Sequence, residues 1–224
     1  MFIGHFAPAF IAAAVSPHSP KLGTLFVAAQ LVDWAFFSLA LVGVEKMRID
    51  PAASVMVPFD LYHMPYTHSL AGTFVFAAVF VGIVTLWQRN PLGGGLAGLV
   101  VLSHWVLDWL VHPADLTLAG APPKHGLGLW DYPWAAMPLE LALIGGAFAF
   151  YMSRTRGPIG PPVVLMMVML LLQAVNWFAP HPAEMSAAIP LQAFAAFGLI
   201  TALGAWVSTN RGIKVRRGLA WSDR

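Results

Sequence analysis

Two stretches of the sequence combine histidine with carboxylate or hydroxyl residues in patterns that can bind a metal ion. The first, SHWVLDWLVH at 103–112, places His104 and Asp108 four positions apart, and His112 continues the same stripe. On a helix these side chains are neighbours on one face. Such a pair can chelate one metal ion, or the aspartate can orient the histidine. A buried histidine–aspartate hydrogen bond without metal is the structural alternative.

The second stretch, YHMPYTHSL at 62–70, places two histidines five positions apart, directly before a long apolar run. Thr67 and Ser69 are both residue types that cap helices, and we expect Thr67 to cap the helix that follows. We expect His68 to be a metal ligand. His63 lies on the preceding loop, where it approaches a substrate or faces water.

Single ionisable residues interrupt other apolar stretches, where their burial is costly and marks functional candidates. His5 lies in GHFAP, Asp33 in AAQLVDW and Glu140 in PLELAL. An interfacial histidine is the alternative for His5, and a proton relay or helix-bonding carboxylate is the alternative for Asp33. Glu140 is a candidate for a second metal site or for a general base. We expect the acids and histidines of the loops to be solvated, namely Asp60, Asp115, Asp131, His125 and His181.

The composition of the chain is that of a membrane protein. Of its 224 residues, 58% are hydrophobic and only 10% are charged, and the mean hydropathy is +0.72, whereas soluble domains carry about a quarter charged residues. The fold class we predict is all-α, a polytopic transmembrane bundle of six or seven helices with a metal site near the outer face. Because there is no cysteine, any metal must be held by histidine and carboxylates, which points to zinc, manganese, iron or magnesium.

Breaks at proline, glycine and charged residues divide the chain into helical segments within a single integral-membrane domain, 1–224. The first segment is short for a crossing and is tilted or re-entrant. The domain comprises a motif region at 1–115, additional helices at 133–207 and a basic tail at 208–224. The segments are 2–15, 22–43, 67–87, 92–112, 133–152, 162–179 and 187–207.

The basic residues predict the orientation of the bundle. If all seven segments cross, nine of the twelve lysines and arginines lie on one side, and that side should face the cytoplasm. The N-terminus and the loops at 44–66 and 113–132 then face outward from a bacterial inner membrane. The C-terminal basic cluster marks topology rather than a nucleic-acid site. Its members are Arg211, Lys214, Arg216, Arg217 and Arg224.

Taken in order, GH at 4–5, Asp33, the histidines and THS at 63–69, and SHWVLD at 103–108 resemble the YdjM-like family of bacterial inner-membrane proteins, which are predicted metal-dependent hydrolases. The resemblance covers roughly the first half of the chain. Met64 and Pro65 stand where that family has an Arg-Gly pair. A more distant similarity, to zinc-dependent phospholipase C and related nucleases, implies a centre of two or three zinc ions that cleaves phosphoesters. The ligands that the resemblance implies are His5, Asp33, His68, His104 and Asp108.

Two classes of function follow from these residues. The first is a membrane-embedded hydrolase of a phosphoester or lipid-linked substrate at the outer leaflet, with one or two divalent ions, zinc before manganese or iron. Asp33 is then the candidate bridge between two ions, and Glu140 or His112 the proton shuttle. The second is a metal or ion transporter, or a structural membrane subunit, without hydrolysis. Few polar residues continue into the cytoplasmic half, which favours a one-sided site. The lipid bilayer is the one certain partner, and the oligomeric state stays open.

Overall fold

Seven α-helices make up most of residues 1–214, the part of the chain that the computed structural model describes. This confirms the predicted all-α bundle, and each predicted segment overlaps one helix. The three arginines beyond Lys214 lie outside the described residues. The helices are α1 Ala7–Val15, α2 Leu22–Leu41, α3 Leu70–Gln88, α4 Pro91–Val111, α5 Pro133–Arg154, α6 Gly160–Phe178 and α7 Ala188–Asn210.

Six of these helices, α2 to α7, are long and apolar enough to cross a membrane. They contain 19 to 23 residues each, against the roughly 20 that a bilayer core of about 30 Å requires. Their outer faces carry large exposed apolar side chains, such as Val75 and Leu86 on α3 and Leu171 on α6. A soluble protein rarely exposes so many apolar residues. The chain is therefore a multi-pass membrane protein.

The first predicted segment is a buried half-length element. A 3-10 helix, Ile3–Phe6, leads directly into α1, and together they reach about 20 Å at roughly 1.5 Å per residue, less than a bilayer core. α1 packs against α2, α4 and α5. Phe6 and Phe10 place their rings edge-on to Phe26 of α2, with centroids 4.8 and 5.2 Å apart. The segment therefore occupies the centre of the bundle and presents His5 from inside it.

α3 and α4 form a close hairpin joined by Arg89 and Asn90. Arg89 ends α3 in the left-handed conformation, with φ of 49°. The Asn90 side chain caps α4 by accepting a hydrogen bond from the Gly93 amide, and Pro91 follows at the first helical position. This hairpin holds the start of α3 beside the end of α4.

The predicted cap of α3 is wrong. The helix begins at Leu70, so Ser69 occupies the N-cap position, and its hydroxyl accepts from the Gly72 amide at 3.0 Å. Thr67 lies two residues further from the helix, where its hydroxyl makes a different contact that is described below.

The two long loops contain short antiparallel strand pairs that the sequence did not predict. The α2–α3 loop pairs β1 Lys46–Ile49 with β2 Phe59–His63, and the α4–α5 loop pairs β3 Leu116–Thr117 with β4 Lys124–His125. At the opposite end, β5 Thr155–Arg156 pairs with β6 Gly212–Ile213. Main-chain hydrogen bonds such as Met56 N to the Trp130 carbonyl, 3.1 Å, join the two long loops to each other.

Candidate metal centre

Four elements deliver histidine or aspartate side chains to one buried cluster. His5 comes from the 3-10 helix, Asp33 from the middle of α2, and His68 from the residue before the cap of α3. α4 contributes His104 and Asp108 one turn apart, as the spacing predicts. All five ligands that the family resemblance implies therefore lie together, and two subsets have their ligand atoms within 4.8 Å of one another: His5, His104 and Asp108, and Asp33, His68 and His104.

Asp108 is the centre of the cluster, because each of its oxygens faces a different pair of histidines. Oδ1 lies 2.9 Å from His5 Nε2 and 3.5 Å from His112 Nε2. Oδ2 lies 3.0 Å from His104 Nε2 and 3.6 Å from His68 Nε2. Asp33, which we expect to bridge two ions, approaches only the pair His68 and His104, whereas Asp108 approaches both histidine pairs.

Asp33 completes the half of the cluster that contains His68 and His104. Its Oδ1 lies 3.5 Å from Nε2 of each of these histidines. Its side chain is 19% exposed, whereas His68 and His104 are at most 3% exposed. Asp33 is therefore the side from which the cluster is most accessible.

Hydrogen bonds on the far side of two imidazole rings decide which nitrogen faces the cluster. His104 Nδ1 lies 2.8 Å from the carbonyl oxygen of Ala29, and His112 Nδ1 lies 3.0 Å from Asp115 Oδ1. A carbonyl or carboxylate oxygen only accepts, so both Nδ1 atoms carry a proton and donate it. In the neutral ring the lone pair is then on Nε2, which points at Asp108. This arrangement is typical of histidine metal ligands.

Several ligand atoms have no hydrogen-bond partner among the described residues, although they are fully buried. These are His5 Nδ1, His104 Nε2 and Asp108 Oδ2. In the neutral His104 ring, with Nδ1 donating to Ala29, the Nε2 lone pair and the Oδ2 lone pairs face each other at 3.0 Å. Leaving such groups unpaired in the interior is costly, and either a proton on His104 Nε2 or a bound metal cation satisfies both. The residues present therefore fit a metal ion.

His112 extends the cluster at the end of α4, where it contacts Asp115 and Trp130. Burial alone would disfavour its charged form, but the carboxylates of Asp115 and Asp108 outweigh burial and raise the pKa of His112 to about 9. The ring of Trp130 covers the imidazole with a centroid separation of 4.1 Å. The Gly128 amide of the α4–α5 loop donates a hydrogen bond to the His112 carbonyl at 2.7 Å and holds this loop against the end of α4. Asp115, predicted to be solvated, is buried because it pairs with His112.

Glu140 holds the 3-10 helix. Its Oε1 accepts hydrogen bonds from the amides of Phe2 and Gly4, at 2.7 and 2.9 Å, and its Oε2 accepts from Gln173 Nε2 at 3.2 Å. Free amides at the start of a helix need such an acceptor. The carboxylate that we considered as a general base is thus occupied in positioning the element that carries His5.

His63 is not part of the cluster. It is exposed on β2, which pairs with β1 through Lys46. Its neighbour in the motif, His68, is buried against the edge of Phe36, with ring centroids 5.2 Å apart. The Trp105 indole donates to the His68 carbonyl at 3.2 Å and so holds the backbone of this ligand.

Sequence reasoning missed Glu45, which is 1% exposed at the start of the α2–α3 loop. It accepts hydrogen bonds from the amides of Tyr66 and Thr67 and from the Thr67 hydroxyl. In the sequence, Glu45 is recognisable only as an acidic residue shortly after the apolar run of α2, and this position does not identify its partner.

Compared with known proteins, the chain matches no family model, no curated protein and no solved structure.

Proposed function

We propose that the protein is a membrane-embedded, metal-dependent hydrolase that acts on a phosphoester or lipid-linked substrate at the outer leaflet. The observation that carries this proposal is the buried cluster itself, in which two groups of histidine and aspartate side chains have their ligand atoms within 4.8 Å of one another. Among the described residues, His104 Nε2 and Asp108 Oδ2 have no hydrogen-bond partner. The YdjM-like resemblance of the motif region points to the same class of activity. Zinc is the ion we expect first, with manganese and iron as alternatives.

The chain's own residues divide the work of such a site. Asp108 presents one oxygen to each histidine pair and would be a ligand of an ion bound between them. Asp33, the exposed member, faces the approaching substrate. A divalent cation bound here supplies Lewis acidity and lowers the pKa of its water towards about 7. His112, with its Nδ1 proton donated to Asp115, is placed to exchange a proton at Nε2.

A one-sided site is supported by what fills the rest of the bundle. Where the 3-10 helix leads into α1, the interior is filled by Phe6, Phe10 and Phe26, each fully buried. An ion pathway needs polar groups that continue through the membrane, and these three rings occupy that position. This observation favours a hydrolase over a transporter.

The position of the site relative to the membrane surface supports a headgroup-level substrate. Trp130 covers His112, and Tyr132 and Trp134 follow it with exposed rings. Aromatic residues concentrate at the depth of lipid headgroups. The basic residues at the opposite end of the bundle, among them Lys21, Arg89, Arg154 and Arg156, support an outward-facing site.

The test is a hydrolysis assay with the full chain in lipid nanodiscs, loaded with Zn²⁺ and offered a panel of phospholipids and water-soluble phosphoesters. We expect wild type to hydrolyse at least one lipid substrate, and Asp33→Asn to lose at least about 100-fold in rate, the usual scale of an essential acid–base or ligand group. The exposed acid Glu184, changed to Gln, is the control and should match wild type. Zinc-loaded wild type that hydrolyses nothing on the panel would move the assignment to a structural metal site.

A further inference from the structure

We infer that Glu45 and Thr67 form a hydrogen-bond relay that fixes His68 with its Nδ1 protonated and its Nε2 free to bind the metal ion. This inference rests on the proposed metal site and adds two positioning residues from outside it. Thr67 contacts one member of the cluster, His68, and Glu45 contacts Thr67, so both act through His68.

The first step is the contact between Glu45 and Thr67. Thr67 Oγ1 lies 2.5 Å from Glu45 Oε2, while the amides of Tyr66 and Thr67 donate to Oε1 at 2.9 and 3.0 Å. A carboxylate has no proton to give. The Thr67 hydroxyl therefore donates its single proton to Glu45.

The second step is the contact between Thr67 and His68. Thr67 Oγ1 lies 2.9 Å from His68 Nδ1. Because the hydroxyl proton already points at Glu45, the oxygen can only accept, and His68 Nδ1 must be the donor. In the neutral ring the proton is then on Nδ1 and the lone pair on Nε2, which lies 3.5 Å from Asp33 Oδ1 and 3.6 Å from Asp108 Oδ2.

The relay is buried and therefore well defined. Glu45 is 1% exposed and Thr67 is fully buried, so water does not compete for these hydrogen bonds. It completes a common pattern, because His104 and His112 also donate from Nδ1, to Ala29 and Asp115. The three rings thus point Nε2 at the same residue, Asp108. Groups that orient metal-binding histidines typically contribute about 10- to 100-fold in metal affinity.

Glu45→Gln is the sharpest variant because it reverses the relay. The amide oxygen can keep the two backbone donors, and the amide nitrogen then donates to Thr67 Oγ1. The hydroxyl proton must turn to His68 Nδ1, which moves the ring proton to Nε2 and blocks the metal-binding nitrogen. We expect Zn²⁺ affinity to fall by about 10- to 100-fold, and Glu184→Gln, an exposed change of the same kind, to leave it unchanged.

The direct readout is the histidine tautomer in metal-free protein. In ¹⁵N-histidine-labelled wild type, at a pH where the ring is neutral, correlation spectra should place the His68 proton on Nδ1, with the signals assigned by their loss in His68→Gln. In Glu45→Gln the proton should be on Nε2. An Nε2 proton in wild type, or an unchanged tautomer in Glu45→Gln, would overturn the relay.

Two further variants separate the relay from a merely structural role. Thr67→Ser keeps the hydroxyl and should preserve both the tautomer and the affinity, whereas Thr67→Val should lose the Nδ1 preference. In the double variant Glu45→Gln with Thr67→Val, no hydroxyl is left to block His68, so it should bind Zn²⁺ more tightly than Glu45→Gln alone. A double variant weaker than the single one would contradict the relay.

The outcomes distinguish this inference from the proposed function. If the tautomer follows the relay but wild type binds no Zn²⁺, the proposed function fails and the relay is reduced to a structural hydrogen-bond chain. If wild type binds Zn²⁺ and hydrolyses substrate with an Nε2 proton on metal-free His68, the relay fails alone. Should Glu45→Gln not fold, the Thr67→Val and Thr67→Ser pair gives the same decision.

Discussion

At the scale of single residues, His104 is the one histidine that belongs to both groups of closely spaced ligand atoms. Its Nε2 lies within 3.5 Å of both Asp33 and Asp108, and its ring stacks on His5 with centroids 3.8 Å apart. His112 approaches only one carboxylate oxygen of the cluster, Asp108 Oδ1, at 3.5 Å. The two histidines should therefore differ in their weight in metal binding.

The first prediction compares these two histidines by zinc competition titration. His104→Ala removes a ligand shared by both halves of the cluster and should reduce the affinity for Zn²⁺ by more than His112→Ala does. His112→Ala should still fall below wild type, by about tenfold or more. His181→Ala, an exposed loop change, is the control. An affinity of His112→Ala equal to that of the control would exclude His112 from the site.

Single residues also show where sequence reasoning stops. The pair His104 and Asp108 could be predicted because helical spacing alone places them together. Asp115 and Glu45 could not, since each lies in a loop and is buried only because that loop folds back, onto His112 three residues earlier and onto Thr67 respectively. For an acidic residue in a loop, the sequence predicts exposure to solvent unless the partner that buries it is known.

At the scale of elements, Glu140 fixes the 3-10 helix that carries His5. The second prediction is that Glu140→Ala removes the acceptor of three hydrogen bonds and lowers the free energy of unfolding by about 1–3 kcal/mol. It should also weaken zinc binding, because His5 is no longer held. Both quantities can be measured in detergent by thermal unfolding and by titration, with Glu184→Ala as the control.

The same variant distinguishes the two interpretations of Glu140. If Glu140 were a general base, Glu140→Ala would lower the rate of hydrolysis and leave the unfolding temperature and the zinc affinity at their wild-type values. That result would contradict the anchoring role.

The α3–α4 hairpin depends on close helix packing at Gly94 and Gly98. A Cβ added at Gly94 would lie 2.8 Å from the Val81 carbonyl oxygen, and one at Gly98 would overlap the Val81 side chain. Backbone and β-branched atoms cannot easily move aside. The hairpin therefore needs a hydrogen at both positions.

The third prediction is a matched pair of alanine substitutions on α4. Gly94→Ala should destabilise the protein by about 1–3 kcal/mol, since it forces the two helices apart. Gly95→Ala meets nothing within 4 Å and should be neutral or stabilising by roughly 0.5–1 kcal/mol, because alanine is the better helix former. Thermal unfolding of the two variants, side by side, measures the difference, and equal stabilities would contradict the packing.

Elements differ in how well the sequence predicts them. α2 to α7 could be predicted because long, predominantly apolar runs leave no alternative to helix inside a membrane. The strand pairs could not, because each described strand contains only two to five residues, too few for an alternating pattern to be recognised. Ser69 rather than Thr67 caps α3 because the position of the first helical residue, Leu70, decides the cap.

At the scale of the whole molecule, buried aromatic rings fill the interior towards one end of the bundle, and the histidine–aspartate cluster lies towards the other. The charge distribution predicts that the metal-cluster end faces outward. The chain contains no cysteine, so single cysteines can report orientation without background. Val55 at the cluster end and Ile159 at the basic end are both well exposed.

The fourth prediction is that Val55→Cys reacts with a membrane-impermeant maleimide in intact cells, and that Ile159→Cys reacts only after lysis. The reverse pattern would invert the orientation and place the site on the cytoplasmic face.

The central claim is that the buried histidine–aspartate cluster binds a divalent metal ion, and elemental analysis of the purified full chain tests it most directly. The protein should be prepared in detergent without chelators, with His104→Ala and Asp108→Asn purified in parallel. We predict a stoichiometric divalent metal, foremost zinc, in wild type and its loss in both variants, since each removes a ligand of the cluster. Folded wild type that contains no metal and takes up none on adding Zn²⁺ would contradict the claim.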